Sequence, residues 1–121
     1  MLLLAMGKYE EAEPLSRRTL KAYEEELGLR HPQTLGSSNN LAGLLRAMGK
    51  YEEAELLYRR TLKAYEEELG LRHPDTLRNN NNLAACLHAM GRYEEAEPLL
   101  RRTLKAREEE LGLRHPDTLT S

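Results

Sequence analysis

The sequence predicts an all-α protein, a right-handed α-solenoid of stacked antiparallel helix hairpins built from about three 42-residue repeats. Gly49-Lys50-Tyr51-Glu52-Glu53-Ala54-Glu55 occurs unchanged at Gly7 to Glu13, and again at Gly91 to Glu97 with only Arg92 in place of Lys50. A fixed period of this length marks units that stack on one another. Within each period the apolar residues recur at steps of three and four, the spacing of one helix face. Each stripe is bounded by Gly or by His-Pro, which stop and start helices.

The copies are almost uniform. Gly7 to Ala42 and Gly49 to Ala84 agree at 30 of 36 aligned positions, differing at 14, 16, 33, 36, 37 and 38. Such uniformity points to recent duplication or deliberate construction, and a residue present in every copy is first of all a rule of the repeat.

Met1 to Met6 align with Gly43 to Met48, so the chain is expected to open on the close of a helix that turns at Gly7. From Tyr9 onward Ala12, Leu15, Leu20, Tyr23 and Leu27 form an apolar stripe, while Glu13 with Arg17 and Lys21 with Glu25 place opposite charges four apart on the polar face. That longer helix should stop near Gly28, because Gly can take the left-handed conformation that closes a helix. After the turn Leu29-Arg30-His31-Pro32 a shorter helix begins at about Pro32, where proline suits a first helical turn. It carries Leu35, Leu41, Ala42, Leu44, Leu45 and Met48 and closes at Gly49. The pattern predicts a partial first repeat over 1–27, a second over about 32–69, a third over about 74–111 and a C-terminal stub over 115–121. Pro14 and Pro98 fall inside the longer helix, where a bend with the ring outward would relieve the lost amide. Neither helix of a hairpin can cover its apolar face alone, so the units must stack. The expected core is Leu41, Leu45, Ala54, Leu57, Tyr58, Leu62, Leu83 and Leu87.

Composition excludes several classes of function. Eighteen basic against twenty acidic residues leave a charge of −2, so no global field draws the chain to nucleic acid or to an acidic membrane. The single Cys86 rules out an intrachain disulfide and suits a reducing compartment. Leu2 to Leu4 are too short an apolar run for a signal peptide or a membrane span, so a cytoplasmic location is expected.

Leu41, Ala42, Leu45, Ala54, Tyr58 and Thr61 follow one another as large, small, large, small, aromatic and small. Leu83, Ala84, Leu87, Ala96, Leu100 and Thr103 repeat the order with Leu for the aromatic. This pattern resembles the tetratricopeptide repeat, and the 42-residue period with "LGLRHPDTL" and "NNLA" is similar to its kinesin light chain type, also seen in sensor arrays of signalling ATPases. The resemblance implies a scaffold that binds proteins or peptides, with the shorter helices lining a concave face.

Little in the chain suggests catalysis. His31, His73 and His115 recur once per unit before Pro, as features of the turn. His88 and Cys86 stand two apart on a helix and so point in different directions. The Glu triplets at 24–26, 66–68 and 108–110 fan over three helix faces and cannot converge on a cation. No phosphate loop, nucleophile elbow or metal motif occurs, and no enzyme activity, catalytic residue, metal or cofactor is expected.

One polar cluster needs a reason. Ser37-Ser38-Asn39-Asn40 becomes Asn79-Asn80-Asn81-Asn82 one period later, and such residues weaken a helix interior. They could cross-link neighbouring units through their amides. They could also hold a ligand, since an amide both donates and accepts and can grip an extended peptide backbone; the resemblance places Asn40 and Asn82 at the position where related arrays do so. Helical spacing groups Asn39, Asn40 and Arg46 around Gly36 and Gly43, and Arg78, Asn81, Asn82 and His88 around Ala85. The expected site is a locally positive groove that prefers acidic extended peptides. The alternative is a structural or engineered self-assembling array with no specific ligand.

The ends predict self-association. Leu2, Leu3, Met6 and Tyr9 at one end and Leu104, Leu111 and Leu119 at the other are copies of residues that internal units cover, so they are expected to pair head to tail or by exchange of terminal helices.

Overall fold

The computed structural model describes residues 2–111, and the side chains of residues 7–109. Five helices follow one another: α1 Leu2–Leu27, α2 Pro32–Ala47, α3 Tyr51–Leu69, α4 Pro74–Ala89 and α5 Tyr93–Leu111. The described residues form no strand. Each helix packs on the next, and α2 also touches α4, so the shorter helices make one layer and the longer ones another. This is the stacked arrangement of an α-solenoid.

The turns use the residues that the repeat conserves in itself. His31 and His73 are N-caps: the Nδ1 of each accepts the backbone N–H two residues on, from Gln33 and Asp75, at 3.1 Å. An amide at a helix start would otherwise lack a partner, so these imidazoles are structural. Gly49 and Gly91 turn the chain between the helices of a hairpin at φ of 82° and 79°. The Lys50 N–H then donates to the Leu45 carbonyl at 2.8 Å and the Arg92 N–H to the Leu87 carbonyl at 2.9 Å, closing each turn.

Between the layers Leu20, Leu41, Ala42, Leu45, Ala54, Tyr58, Leu62, Leu83, Ala84, Cys86, Leu87 and Ala96 pack as one cluster. Of the expected core only Leu57 differs, lying half-buried against its edge. Leu15 and Leu27, placed on the apolar stripe by spacing, are exposed. Leu27 shares its exposure with its copy Leu69, at the edge of the stripe, whereas Leu57 and Leu99, the copies of Leu15, are half-buried against the core. Pro14 and Pro98 lie within α1 and α5, which continue past them with both rings exposed.

Polar side chains tie the layers together where Ser and Asn interrupt the apolar pattern. The Ser38 and Thr61 hydroxyls meet at 2.9 Å; one period on, the Asn80 amide donates to Thr103 Oγ1 at 2.7 Å and to the Leu99 carbonyl at 2.6 Å. Asn79, 1% exposed, donates to the Tyr58 carbonyl at 2.9 Å and so links α4 to the preceding unit. The cross-linking of neighbouring units expected of the Asn run is seen at Asn79, while Asn80 ties the two helices of its own unit.

An ion ladder joins successive long helices. Arg17 reaches Glu53 and Arg59 reaches Glu95; Lys50 reaches Glu13 and Arg92 reaches Glu55; Arg60 reaches Glu24 and Arg102 reaches Glu66. Arg30 meets Glu67 and Glu68, as Arg72 meets Glu109. The Glu triplets are therefore partners of neighbouring units as well as solvated surface. Exposed pairs of this kind contribute about 0.2–1 kcal/mol each, against about 1.5–3 kcal/mol for a fully buried leucine. Core packing dominates stability, and the ladder favours one alignment of the units.

Gly7 departs from the expectation. It lies inside α1, with no turn, although Leu44 to Glu55 repeat Leu2 to Glu13 with a single difference, Arg46 for Leu4.

Two measurements follow from this architecture. Gly7→Ala should raise stability by about 0.5–1 kcal/mol in urea unfolding, because alanine is the better helix former and open space surrounds the site. Gly91→Ala should lower it by about 1 kcal/mol through strain at positive φ; a destabilised Gly7→Ala would place a turn there instead. The second measurement is pH dependence. Lys50 and Arg17 hold the Glu13 carboxyl below the usual value of about 4.5. Burial works to raise Glu55, but Arg59 and Arg92 outweigh it and the carboxyl is lowered. Lowered native pKa values mean stability that is complete above the unfolded value and lost as pH falls through the native one. Melting temperature should hold from neutrality to about pH 5 and drop below about pH 4.5, and Glu13→Gln with Glu55→Gln should flatten that drop.

Candidate functional site

The layer of shorter helices presents the predicted site. Along α2 the residues turned away from the core include Gly36, Asn40 and Gly43; along α4 they include Arg78, Asn82, Ala85 and His88. Helical periodicity produces this directly, because Leu41, Ala42 and Leu45, with Leu83, Ala84 and Leu87, occupy the opposite face and are buried.

The four Asn positions divide by depth. Asn79 and Asn80 point into the packing, whereas Asn40 is exposed and Asn39, Asn81 and Asn82 are half-buried. Asn40 and Asn82 make no side-chain hydrogen bond to the described residues. Asn39 Oδ1 is shut off from solvent and has no protein partner among them.

The cations are spread along the face. Arg46, near the end of α2, holds its guanidinium 5.9 Å from the centre of the Tyr58 ring and makes no ion pair with the described residues. Arg78 stands in the first turns of α4, paired with Asp75 at 3.3 Å. Ten residues of helix, about 15 Å, separate the levels of Arg78 and His88, the residue aligned with Arg46. The positive groove is thus two separate points rather than one patch. His88 is exposed and packs edge-on against Tyr93, with ring centres 4.6 Å apart.

Spacing alone did not reveal the support beneath Arg46. Tyr58 is 1% exposed, and a side chain at Gly43 would come within 3.7 Å of its hydroxyl. Position 43 thus lies at ordinary contact distance from the phenol that sits under the arginine. Burial raises the Tyr58 pKa, with Arg46 pulling the other way, so the ring stays neutral under the guanidinium. The signal that could have found this pair is the coincidence of Gly43 with an aromatic at 58, where the third unit has Ala85 and Leu100.

The buried Cys86 is a weak candidate for chemistry. Its thiol donates to the Tyr51 carbonyl at 3.4 Å, and burial pushes its pKa up, away from the thiolate that a nucleophile requires. Among the described residues no three His, Cys, Asp or Glu side chains are placed to hold a metal ion. No described helix is long and apolar enough to cross a membrane. His115 and Leu119, and the side chains of Leu2, Leu3, Met6 and Leu111, lie outside what the structure describes.

Comparison with solved structures gives the same architecture. The nearly identical TPR-like repeats of a Podosopora anserina kinesin light chain superpose with a TM-score of 0.82 at 28% identity, over 94% of this chain and 54% of that one. A point variant of the same protein matches equally well. BtubC (BKLC) from P. vanneervenii shares the fold, with a TM-score of 0.79 at 22% identity over 85% of this chain and 41% of that one. The chain thus spans about half the length of the proteins it matches. No curated protein matches the sequence closely enough to serve as a relative. The tetratricopeptide repeat family model matches residues 1–67 and 75–121, nearly the whole sequence, and with the helix hairpins, His caps and alanine-lined core it shows that this chain belongs to the tetratricopeptide repeat family.

Proposed function

We propose that the chain is a protein- or peptide-binding scaffold whose ligand lies along the face formed by α2 and α4. Tetratricopeptide repeats serve protein–protein interaction and scaffolding, typically without catalysis of their own. The observation that carries the reading is the division of the Asn run: two amides are consumed by packing, while Asn40 and Asn82 remain available on parallel helices one period apart. Asn39 and Asn81 flank them. An extended peptide presents alternating N–H and C=O groups that such amides can both donate to and accept from.

Acidic peptides fit this face best. Arg46 is held in place by Tyr58 and is free to pair with a ligand carboxylate, with His88 at the same level; Arg78 supplies a second point after exchanging Asp75 for the ligand. The reading places the chain in the cytoplasm, where Cys86 stays a thiol. Its other partner is a second copy of the chain. Leu104, 60% exposed, supports that association, with Tyr9 half-buried at the opposite end.

Fluorescence anisotropy with an array of extended peptides tests the binding face. A subset rich in Asp and Glu should bind, more weakly as salt rises. Asn40→Ala with Asn82→Ala should weaken that subset by about tenfold, the loss expected for two hydrogen bonds, and Arg46→Ala by about tenfold again. Absence of binding across the array, or binding indifferent to all three substitutions, would refute the assignment.

A further inference from the structure

The repeat position of Leu20, Leu62 and Leu104 has two environments. Leu20 and Leu62 are 6% and 7% exposed, whereas Leu104 on α5 is 60% exposed. What covers Leu20 is the following unit: it shares the wall of a surface hollow with Leu41, Leu56 and Leu57. The opposite end shows the reverse. Leu15 on α1 is 59% exposed, while its copies Leu57 and Leu99 are half-buried against the core. Leu104 and Leu15 are the copies of Leu20 and Leu57, which line one hollow between successive long helices.

The charges agree with the leucines. Advancing the ion ladder by one period leaves Arg101, Glu97 and Glu108 on α5 as copies of Arg59, Glu55 and Glu66. Moving it back one period leaves Glu11, Lys8 and Arg18 on α1 as copies of Glu53, Lys50 and Arg60. All six side chains belong to exposed residues. They are opposite in sign pair by pair. Arg101 already bonds Glu97 at 2.6 Å, just as Arg17 bonds Glu13 at 2.9 Å and Arg59 bonds Glu55 at 2.7 Å. Each internal arginine of this set adds a second carboxylate from the next unit, and α5 has no next unit among the described residues.

We propose, resting on the association stated above and naming its geometry, that copies stack head to tail. The α1 helix of one copy meets α5 of another in the register Arg101–Glu11, Glu97–Lys8 and Glu108–Arg18, around the contact of Leu104 with Leu15. The contact is heterologous and need not close, so it extends by addition. Its charges are exposed, so it weakens as salt rises.

Sedimentation velocity on the full chain, over a dilution series at low and high salt, provides the test. The mass should rise above 13.9 kDa with concentration and fall back toward it in high salt. Arg101→Glu and Glu11→Arg should each weaken association by about tenfold or more, since like charges then face each other. An equimolar mixture of the two variants should restore it, because the reversed α5 face fits only the reversed α1 face. Circular dichroism melts of each variant should match the parent, as both sites are on the surface. A mass of 13.9 kDa at every concentration would overturn association and register together. Association that ignores the reversals, or a mixture that fails to restore it, would overturn the register alone and point to another contact, such as exchange of terminal helices.

Discussion

Close approach of helices at alanine governs the architecture. Ala42, Ala54 and Ala84 are fully buried and Ala96 is 1% exposed, so no larger side chain stands between the helix axes at these points. Interaxial distance depends on the residues at the contact. With small residues there, Leu41, Leu45, Leu83 and Leu87 pack into the remaining space at 0–2% exposure. The same closeness lets short polar side chains cross from one helix to the next. Asn79 reaches the Tyr58 carbonyl and Asn80 the Leu99 carbonyl because the backbones are near enough for an amide to span the gap. Polar residues that weaken an isolated helix therefore become ties between packed ones.

Much of this was legible in the sequence, and for a physical reason. Helix starts and stops depend on local chemistry, so His-Pro and Gly marked the boundaries of α2, α3 and α4 from sequence alone. Depth within the array was harder. Leu15, Leu57 and Leu99 share one letter and one repeat position, yet Leu15 is exposed and its copies are half-buried, because burial depends on what the neighbouring unit supplies. The Asn run shows the same limit. Four identical side chains in a row divide into two buried and two half-buried ones only after the helix has been rotated against its neighbours. The tyrosine beneath Arg46 required knowing that positions 43, 46 and 58 meet across two helices.

The layers of the solenoid carry different chemistry. Along the long helices, carboxylates and guanidinium groups satisfy one another from unit to unit, leaving a surface whose charges are largely spoken for. Along the short helices Asn40, Asn82 and Arg46 make no side-chain hydrogen bond or ion pair with the described residues, whereas Arg78 is paired with Asp75. Arg46 stands on an aromatic ring rather than a carboxylate, which orients the cation without neutralising it. On the proposed binding face, donors held in this way would need little further ordering when a ligand arrives.

The near-identity of Leu2 to Glu13 with Leu44 to Glu55 means that twelve residues of almost the same sequence exist in one molecule as an unbroken helix and as a helix, a turn and a second helix. Local preference therefore does not decide between the two shapes. In the bent copy the turn is closed by the bond from Lys50 to the Leu45 carbonyl, and the helix before it is held by packing against α1 and α3. The folded-back shape at Gly49 is thus tied to its surroundings: α2 lies packed between α1 and α3, and tertiary contact rather than the local sequence accounts for the bend.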